Sequence, residues 1–290
     1  MTRFLALGAV LAALPACAAE PPAAAAAFAA AARAWAAGKL WDDGLAEVAE
    51  YRAERVIYGA ARPHRATLIV VKEDFDTDLY VKADSSAGRE LATVLKLNWQ
   101  AQIPTPNYDY HFLTSVFVRR ADVREVVKLS SSSQEWCGTS FHLLKGWTDP
   151  PQLETHSYFE GEGERTFPLT LNEGDLLDDQ LALSLRALPF AAGFKLAARV
   201  LDSRRSNRAR PPEWQTAIIR VAGIETVPGG ARGSVAGWKV EVARGTAVDR
   251  SWFEAQYPNR LLRFASDRGE SLELIGAERR AYWKLPPPQE

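Results

Sequence analysis

The 290-residue chain is nearly neutral, with 35 basic and 36 acidic side chains, so no overall field attracts nucleic acid or an acidic partner. Its only cysteines are Cys17 and Cys137, which excludes a scaffold held together by several disulfides. Stability must therefore come from a hydrophobic core, and 47% hydrophobic residues with nine tryptophans are enough to build one.

The first residues have the layout of a secretory signal. Arg3 supplies a positive charge, an apolar run follows, and small residues lead into Cys17. The run is shorter than the ~20 residues that a helix needs to cross a membrane. Residues 14–17 resemble a bacterial lipobox, in which the cysteine is lipidated and becomes the mature N-terminus. We therefore expect a signal peptide over residues 1–16 and lipidation at Cys17; the alternative is ordinary cleavage after Ala18.

Either form of processing predicts an extracytoplasmic protein. Ala18 follows Cys17 where a retention signal would have aspartate, which favours an outer-membrane lipoprotein facing the periplasm. The membrane is then a partner through the N-terminal lipid anchor.

Residues 17–38 are rich in alanine, the best helix former. We interpret this stretch as a tether between the anchor and the domain or as a short helix packed on the domain. A helix here would run from Phe28 to Ala37 and end at Gly38, a suitable C-terminal residue.

From about residue 45 the hydrophobic period changes to two, which is typical of antiparallel strands with one buried face. Ala49, Tyr51 and Ala53, for example, alternate with charged neighbours. We expect residues 39–285 to form one large β domain, with a division into two sub-sheets near residue 165 as the alternative. The other predicted strands are Thr67–Val71, Asp78–Ala83, Leu95–Trp99, Tyr108–Phe112, Val116–Val118, Arg124–Ser130, Phe141–Leu144, Glu154–Phe159, Phe194–Leu201, Ala217–Val221, Trp238–Val242, Leu261–Ala265, Leu272–Ile275 and Ala281–Leu285.

One segment departs from this period. Asp175 is placed as a helix N-cap and Pro189 as the end, which predicts a short helix over about residues 175–188. The leucines at helical spacing are Leu177, Leu181, Leu185 and Leu188. The fold class that we predict is therefore mainly β, a curved antiparallel sheet or half-open β-barrel with one short helix that crosses it.

The C-terminal half shows a particular order of features. The helix is followed by the corner Leu185–Gly193, the strand Gly237–Val242, the pair Trp252-Phe253 and the strand Leu272–Leu274. Over residues 175–285 this order resembles an uncharacterised family of exported bacterial β-proteins, a domain of unknown function. The family's fold is akin to the half-open barrels of lipoprotein-localisation carriers and receptors. The resemblance implies a concave apolar face that the helix partly plugs, with room for an acyl chain or a similar apolar ligand.

Four arginines lie in one predicted loop, from Asp202 to Pro212. Guanidinium forks suit phosphate, so the loop is a candidate contact for anionic headgroups or lipopolysaccharide phosphate. The alternative is a solvated, mobile hairpin tip. A single basic loop on a near-neutral chain is too little for nucleic acid. The four residues are Arg204, Arg205, Arg208 and Arg210.

No other group of residues forms a recognised catalytic or metal-binding motif, so we predict no catalytic residue, metal ligand or cofactor. Asp74, Asp76 and Asp78 lack the glycine and glutamate of a calcium loop and are interpreted as a solvated face. Cys137 and His142 would point to opposite faces of a strand, so Cys137 is interpreted as a buried or half-buried free thiol. The tryptophans of the β region are interpreted as core, with sugar stacking as the alternative.

These patterns favour an exported, non-catalytic envelope protein that binds or transfers an apolar or envelope component through the concave β face. An envelope scaffold or interaction lipoprotein is the alternative, and a hydrolase acting on carbohydrate or peptide is a third. A carrier requires an enclosed apolar cavity of several hundred Å³. A scaffold predicts a filled interior and an exposed apolar patch instead.

Overall fold

The computed structural model describes residues 22–85 and 88–284, so the predicted signal peptide and Cys17 lie outside the described residues. None of the helices in these ranges combines the length and the apolar character needed to cross a bilayer. The helices are α1 Pro22–Ala36 and α2 Leu181–Ser184, and the single turns of 3₁₀-helix are Lys39–Asp42, Asp178–Gln180, Leu185–Ala187 and Gly230–Arg232.

The strands of the described residues form one 16-stranded sheet, antiparallel at every junction except that of β10 with β11. The sheet follows the order β10-β11-β12-β13-β14-β15-β16-β1-β2-β4-β5-β6-β7-β8-β9, and β3 pairs with β2. The strands are β1 Ala46–Ile57, β2 Ala60–Asp76, β3 Val81–Lys82, β4 Leu91–Ile103, β5 Tyr110–Arg119, β6 Asp122–Glu135, β7 Gly138–Lys145, β8 Gln152–Ser157, β9 Gly163–Pro168, β10 Leu176–Leu177, β11 Lys195–Leu201, β12 Trp214–Pro228, β13 Ser234–Arg244, β14 Ala247–Glu254, β15 Leu261–Ser266 and β16 Ser271–Arg280.

The predicted fold class, a curved and mainly antiparallel β-sheet, is confirmed. Register shifts interrupt the ladders at Glu50/Tyr51, Val221/Gly223 and Trp252/Phe253, and such bulges increase the local bend and twist of a sheet. The sheet does not close by hydrogen bonding, because β9 and β10 are its two edges. These edges lie on either side of residue 170, so the sheet is open at this point of the chain.

The alanine-rich helix begins earlier than predicted. Helix α1 starts at Pro22 and ends at Ala36, and it buries Phe28, Ala32 and Trp35 against the sheet. Gly38 has an extended backbone rather than the left-handed conformation of a glycine helix end. A Cβ at this position would lie 2.0 Å from the Tyr257 hydroxyl oxygen, so a larger residue here would displace the Tyr257 side chain.

The segment 178–188, here called the crossing segment, crosses the concave face as predicted but is not a continuous helix. Its α-helical part is four residues long and is flanked by 3₁₀ turns. Asp175 does not cap it, because the Asp175 carboxylate binds the Arg199 guanidinium at 2.5 Å and the backbone N–H of Asn172 at 2.8 Å. The Gln180 side chain instead accepts the Leu177 N–H at 3.0 Å and donates to the Arg124 carbonyl at 3.0 Å.

Two predicted strands are largely or wholly replaced by turns. The Asp78–Ala83 strand shrinks to the two residues of β3, because the Asp76 carboxylate accepts the N–H groups of Asp78 and Leu79 and fixes a turn. The last predicted strand, from Ala281, is a turn as far as Lys284. The period-two alternation is confirmed where it was strongest: Ala49, Tyr51 and Ala53 are buried and their charged neighbours are exposed.

A buried ionic centre ties the crossing segment to the sheet. The Arg186 guanidinium binds both carboxylate oxygens of Glu47, at 2.8 and 3.1 Å, and both side chains are at most 3% exposed. The Arg260 guanidinium adds a third contact to Glu47 at 2.9 Å. The Arg186 guanidinium also lies beside the adjoining rings of Trp35 and Trp41, 5.3 and 5.5 Å from their centroids. This ionic centre therefore joins four elements of the fold: helix α1, the crossing segment, β1 and the loop before β15.

Replacing Glu47 by glutamine leaves Arg186 and Arg260 without their shared anion in a buried site. We expect Glu47→Gln to lower the free energy of unfolding by about 3–5 kcal/mol, the usual effect of breaking a buried ion pair. Chemical denaturation measures this loss. Glu50→Gln on the exposed face of the same strand is the matched control and should stay within about 0.5 kcal/mol of the wild type. Equal stability of the two variants would contradict a structural role for the centre.

Candidate functional site

The antiparallel order places two distinct ends on the sheet. The hairpin turns after β1, β6 and β8 and the loop 202–212 lie at one end, here called the arginine end. Helix α1 packs at the opposite end, here called the helix end. There the Trp35 indole N–H donates to the Pro258 carbonyl at 3.1 Å, and the Arg120 guanidinium donates to the Ala36 carbonyl at 3.2 Å.

The concave face between these ends is filled. Helix α1 and the crossing segment place Phe28, Trp35, Leu183 and Leu185 against the inner surface of the sheet. A cavity among the described residues beside Trp99 and the crossing segment has a volume of about 30 Å³. That is room for a water molecule but not for an acyl chain. This cavity is too small for the apolar ligand that the family resemblance implies, and binding through the concave face stays a prediction.

A pocket of about 300 Å³ opens at the arginine end, and we call it the arginine pocket. The described residues contribute six arginines and three carboxylates to its wall. All four arginines of the predicted loop are among them, and the other two come from different hairpins. The charged lining residues are Arg55, Arg204, Arg205, Arg208, Arg210, Arg268, Asp178, Asp202 and Glu270.

Two of the predicted loop arginines form the floor of the pocket and do not extend into solvent. Arg204 is 2% exposed, pairs with Asp202 and donates to the Arg210 carbonyl at 2.9 Å. Arg205 is 10% exposed in its side chain, binds Glu270 at 3.0 Å and lies 3.7 Å over the ring of Trp99. Buried guanidinium groups with fixed partners hold positive charge in a defined place before any ligand arrives.

The other loop arginines lie at the rim. Arg208 is half-exposed and binds Glu162 at 3.2 Å, and Arg210 is exposed. Arg268, from the β15–β16 hairpin, joins them with 61% of its side chain exposed and a 3.0 Å contact to Asp249. The guanidinium ends of Arg208 and Arg268 are accessible to a ligand, although the carboxylates that they bind, Glu162 and Asp249, are only 15% and 7% exposed.

Arg55 was not predicted and adds a charge from β1. Its guanidinium donates to the Arg205 carbonyl at 2.6 Å and lies 4.8 Å over the ring of Phe112. Burial lowers the pKa of Arg55, and the neighbouring charge of Arg205 lowers it further, although Glu270 opposes the shift. Because like charges are held together here, a bound anion would relieve their repulsion.

The loop 202–212, here called the bridging loop, is not a solvated tip. On one side the Asp179 carboxylate accepts the Arg204 N–H at 2.7 Å. On the other side, the Glu162 carboxylate of the β8–β9 hairpin accepts the Ala209 N–H at 2.9 Å. The loop therefore spans the opening between the two edges of the sheet and closes the arginine end without a strand ladder.

A polar wall lies beneath the bridging loop on the inner faces of β5 to β8. His142 is fully buried, and neither ring nitrogen makes a hydrogen bond of standard geometry to the described residues. Burial, with the nearby charge of Arg204, lowers the pKa of His142 to about 4, so the ring is neutral near pH 7. The other buried polar side chains of the wall are Thr114, Ser131, Ser133, Ser140 and Thr155. The sequence pattern predicted that this face of the strands points inward, but it did not indicate that the face carries buried polar side chains.

Cys137 is an exposed free thiol, which corrects the prediction of a buried one. It lies with Trp136 in the two-residue turn between β6 and β7 rather than inside a strand, and it contacts the Tyr108 hydroxyl at 3.1 Å. His142 points into the interior, so the two side chains do not meet. Asp76 is also buried rather than solvated. The described residues contain no group of three or more histidine, cysteine or acidic residues that could hold a metal ion.

A second, open groove of about 890 Å³ lies at the helix end. Its lining contains three arginines, Arg33, Arg119 and Arg120, of which Arg120 binds both oxygens of Asp42 at 2.7 Å and Arg119 binds Glu125 at 3.3 Å. The arginine pocket brings six guanidinium groups together in a smaller volume and is therefore the better candidate for an anion-binding site.

No protein-family model matches the chain, and no curated protein sequence matches it. The crystal structure of a β-barrel-like protein of domain of unknown function DUF1849 from Brucella abortus is similar, with a TM-score of 0.48 and 12% sequence identity. The alignment covers 81% of this chain and 98% of that chain. A likeness of this degree carries no argument about function. Membership of an exported family with a lipoprotein-localisation fold stays a prediction.

The buried, neutral His142 predicts a pH dependence of stability. Its pKa is about 4 in the folded chain and about 6.5 when unfolded, so the unfolded state binds the extra proton as the pH falls. The wild type should lose roughly 3 kcal/mol of unfolding free energy between pH 6.5 and pH 4 from this group, and no more below pH 4. His142→Gln should remove this component, and denaturation at a series of pH values measures it. His111→Gln, on the exposed face, is the control; a wild-type slope in His142→Gln would refute the assignment.

Proposed function

We propose that this protein is a non-catalytic binding protein of the bacterial cell envelope, and that it binds the anionic part of an envelope component in the arginine pocket. The observation that carries the proposal is the convergence of six guanidinium groups, from three elements of the fold, on one pocket of about 300 Å³. Arginine recognises phosphate and carboxylate groups through paired N–H donors.

The division of the arginines into floor and rim supports binding rather than mere loop closure. Arg204 and Arg205 are fixed by internal partners, which pre-organises the floor. Arg208, Arg210 and Arg268 are exposed at the rim, where a ligand can reach their guanidinium groups. The ends of strands and the loops that join them are also common places for small-ligand sites.

Transfer of a wholly apolar component is less well supported. The interior cavity beside the crossing segment is only about 30 Å³, so an acyl chain would have to displace packed side chains such as Leu185. The scaffold alternative agrees with a filled interior. It differs from our proposal in needing no arginine in the pocket, so substitution of the arginines separates the two.

Pyrophosphate serves as a probe of the pocket. We expect isothermal titration to show binding that weakens as salt is added, and the double substitution Arg208→Gln with Arg268→Gln to weaken it at least about tenfold, or roughly 1.4 kcal/mol. Arg65→Gln removes a side chain that is 75% exposed on the outer face and is the matched control. If the double variant and the control bind pyrophosphate with equal affinity, the arginine pocket is not the binding site.

We further propose export and attachment to the periplasmic face of the outer membrane through Cys17. The support is the sequence pattern of residues 1–17, with a charged start, an apolar run and small residues before the cysteine. Anchoring would hold the domain close to the envelope components that the arginine pocket is proposed to bind. A single acyl chain binds membranes only marginally, so stable anchoring requires more than one chain.

Cells that express the chain with radiolabelled fatty acid test this anchor. We expect label in the wild-type protein and none in Cys17→Ala, because Cys17 is the proposed acylation site. Cys137→Ala, which removes the other cysteine of the chain, is the matched control and should keep the label. Label that persists in Cys17→Ala, or that is absent from the wild type, would rule out lipidation at this residue.

A further inference from the structure

Three strongly exposed aromatic side chains stand at the arginine end, and together we call them the aromatic rim. Tyr58 is 71% exposed, Trp136 is 83% exposed and Tyr158 is 77% exposed. Each belongs to the turn of a different hairpin, the β1–β2, β6–β7 and β8–β9 hairpins. Exposed large aromatic residues that share one end of a domain are typical of a contact surface rather than of a core.

Each member of the aromatic rim adjoins the arginine pocket through a contact of its own hairpin. Tyr58 follows two residues after Val56, which lines the pocket. Glu135, next to Trp136, accepts the Asn207 amide at 2.9 Å, and Asn207 lies between two lining residues of the bridging loop. Phe159, next to Tyr158, has its ring 5.3 Å beneath the Arg208 guanidinium. Each exposed ring therefore stands next in sequence, or nearly so, to a residue that lines the positively charged pocket or contacts its loop.

The Trp136 side is a supported platform rather than a loose turn. The Tyr108 ring stacks on Trp136 with a centroid distance of 5.8 Å and an interplanar angle of 24°. Behind it, Tyr110 lies 5.8 Å from Tyr108 and stacks on Phe112 at 5.9 Å. Arg55 of the pocket lies over Phe112, so a continuous row of rings runs from the pocket to the exposed face of Trp136.

We propose that the ligand of the arginine pocket is an anionic carbohydrate, whose phosphate or other charged group enters the pocket while its sugar rings stack on the aromatic rim. This inference rests on the proposed function and names its substrate class. Sugar rings present C–H faces that pack on aromatic rings, and their hydroxyl groups bond to polar side chains. A pocket of about 300 Å³ is at the small end of ligand sites, which suits one charged sugar unit.

The charges around the aromatic rim favour a carbohydrate over a lipid bilayer. The β8–β9 hairpin that carries Tyr158 also carries Glu160 and Glu164, both exposed. An extended anionic membrane surface would be brought against these carboxylates, whereas a sugar with a single charged group can place that group in the arginine pocket and leave its neutral rings beside them. The same carboxylates are good acceptors for the hydroxyl groups of a sugar.

A comparison of probes on the purified full-length chain tests the inference. The probes are a phosphorylated hexosamine disaccharide without acyl chains, the same disaccharide without phosphate, pyrophosphate, and vesicles of phosphatidylglycerol with phosphatidylcholine. We expect the phosphorylated disaccharide to bind the wild type about tenfold more tightly than pyrophosphate, since ring stacking adds to the charge contacts. The disaccharide without phosphate should bind more weakly than the phosphorylated one.

Substitutions separate the sugar contact from the anion contact. Trp136→Ala should weaken binding of the phosphorylated disaccharide about tenfold and leave the affinity for pyrophosphate within about twofold. Trp283→Ala, at an exposed tryptophan of the helix end, is the matched control and should change neither affinity. The double substitution Arg208→Gln with Arg268→Gln should weaken both.

The outcomes that overturn the inference differ from those that overturn the function. If pyrophosphate binds but the disaccharide gains nothing, or if Trp136→Ala changes nothing, the carbohydrate inference fails and the anion site stands. If Trp136→Ala abolishes vesicle binding while disaccharide binding is unchanged, the aromatic rim is a membrane contact instead. If neither pyrophosphate nor the phosphorylated disaccharide binds the wild type, the proposed function fails as well.

Discussion

The contact between Arg186 and Glu47 is the interaction on which the arrangement of the interior depends. An open sheet with this curvature leaves a broad inner face, and that face is buried only if α1 and the crossing segment are held against it. Burial alone does not fix their position, because hydrophobic contacts have no preferred direction. The paired hydrogen bonds of Arg186 to Glu47, with the indole rings of Trp35 and Trp41 beside the guanidinium, supply that direction.

The second constraint is the opening between β9 and β10. A sheet edge leaves unpaired backbone groups, and a barrel removes them only by closing its ladder. Here the bridging loop substitutes for the missing ladder at the arginine end, with Asp179 holding one side and Glu162 the other. Burial raises the pKa of Asp179, and Asp178 adds to this, while the Arg205 guanidinium opposes it. Charged side chains therefore hold the bridging loop in place where the two edges of the sheet form no backbone hydrogen bonds with each other.

The sequence alone predicted the features that depend on neighbouring residues, such as strands and their buried faces. It did not predict contacts between residues that are far apart in the chain. The alternation of Ala49, Tyr51 and Ala53 gave the strand and its buried side, because side-chain direction in a strand depends only on neighbouring residues. The sequence also marked the loop arginines as an anion contact, but not Arg55, which reaches the pocket from a strand 150 residues away from its partner Arg205. The spacing of the leucines located the crossing segment correctly. Asp175, however, binds Arg199 instead of capping a helix, and this tertiary contact is not indicated by the local sequence.

The position of the arginine pocket follows from the same opening that the bridging loop closes. Ion pairs that close a gap require cations from several elements, so the loop, β1 and the β15–β16 hairpin converge there and bring more positive than negative charge. Burial of such an excess is unfavourable unless the remaining donors find acceptors. The Arg205 Nε–H has no hydrogen-bond partner among the described residues, although it lies 3.7 Å from Asp179. An anion at the pocket would offset the repulsion among these arginines, so ligand binding and closure of the arginine end would stabilise each other.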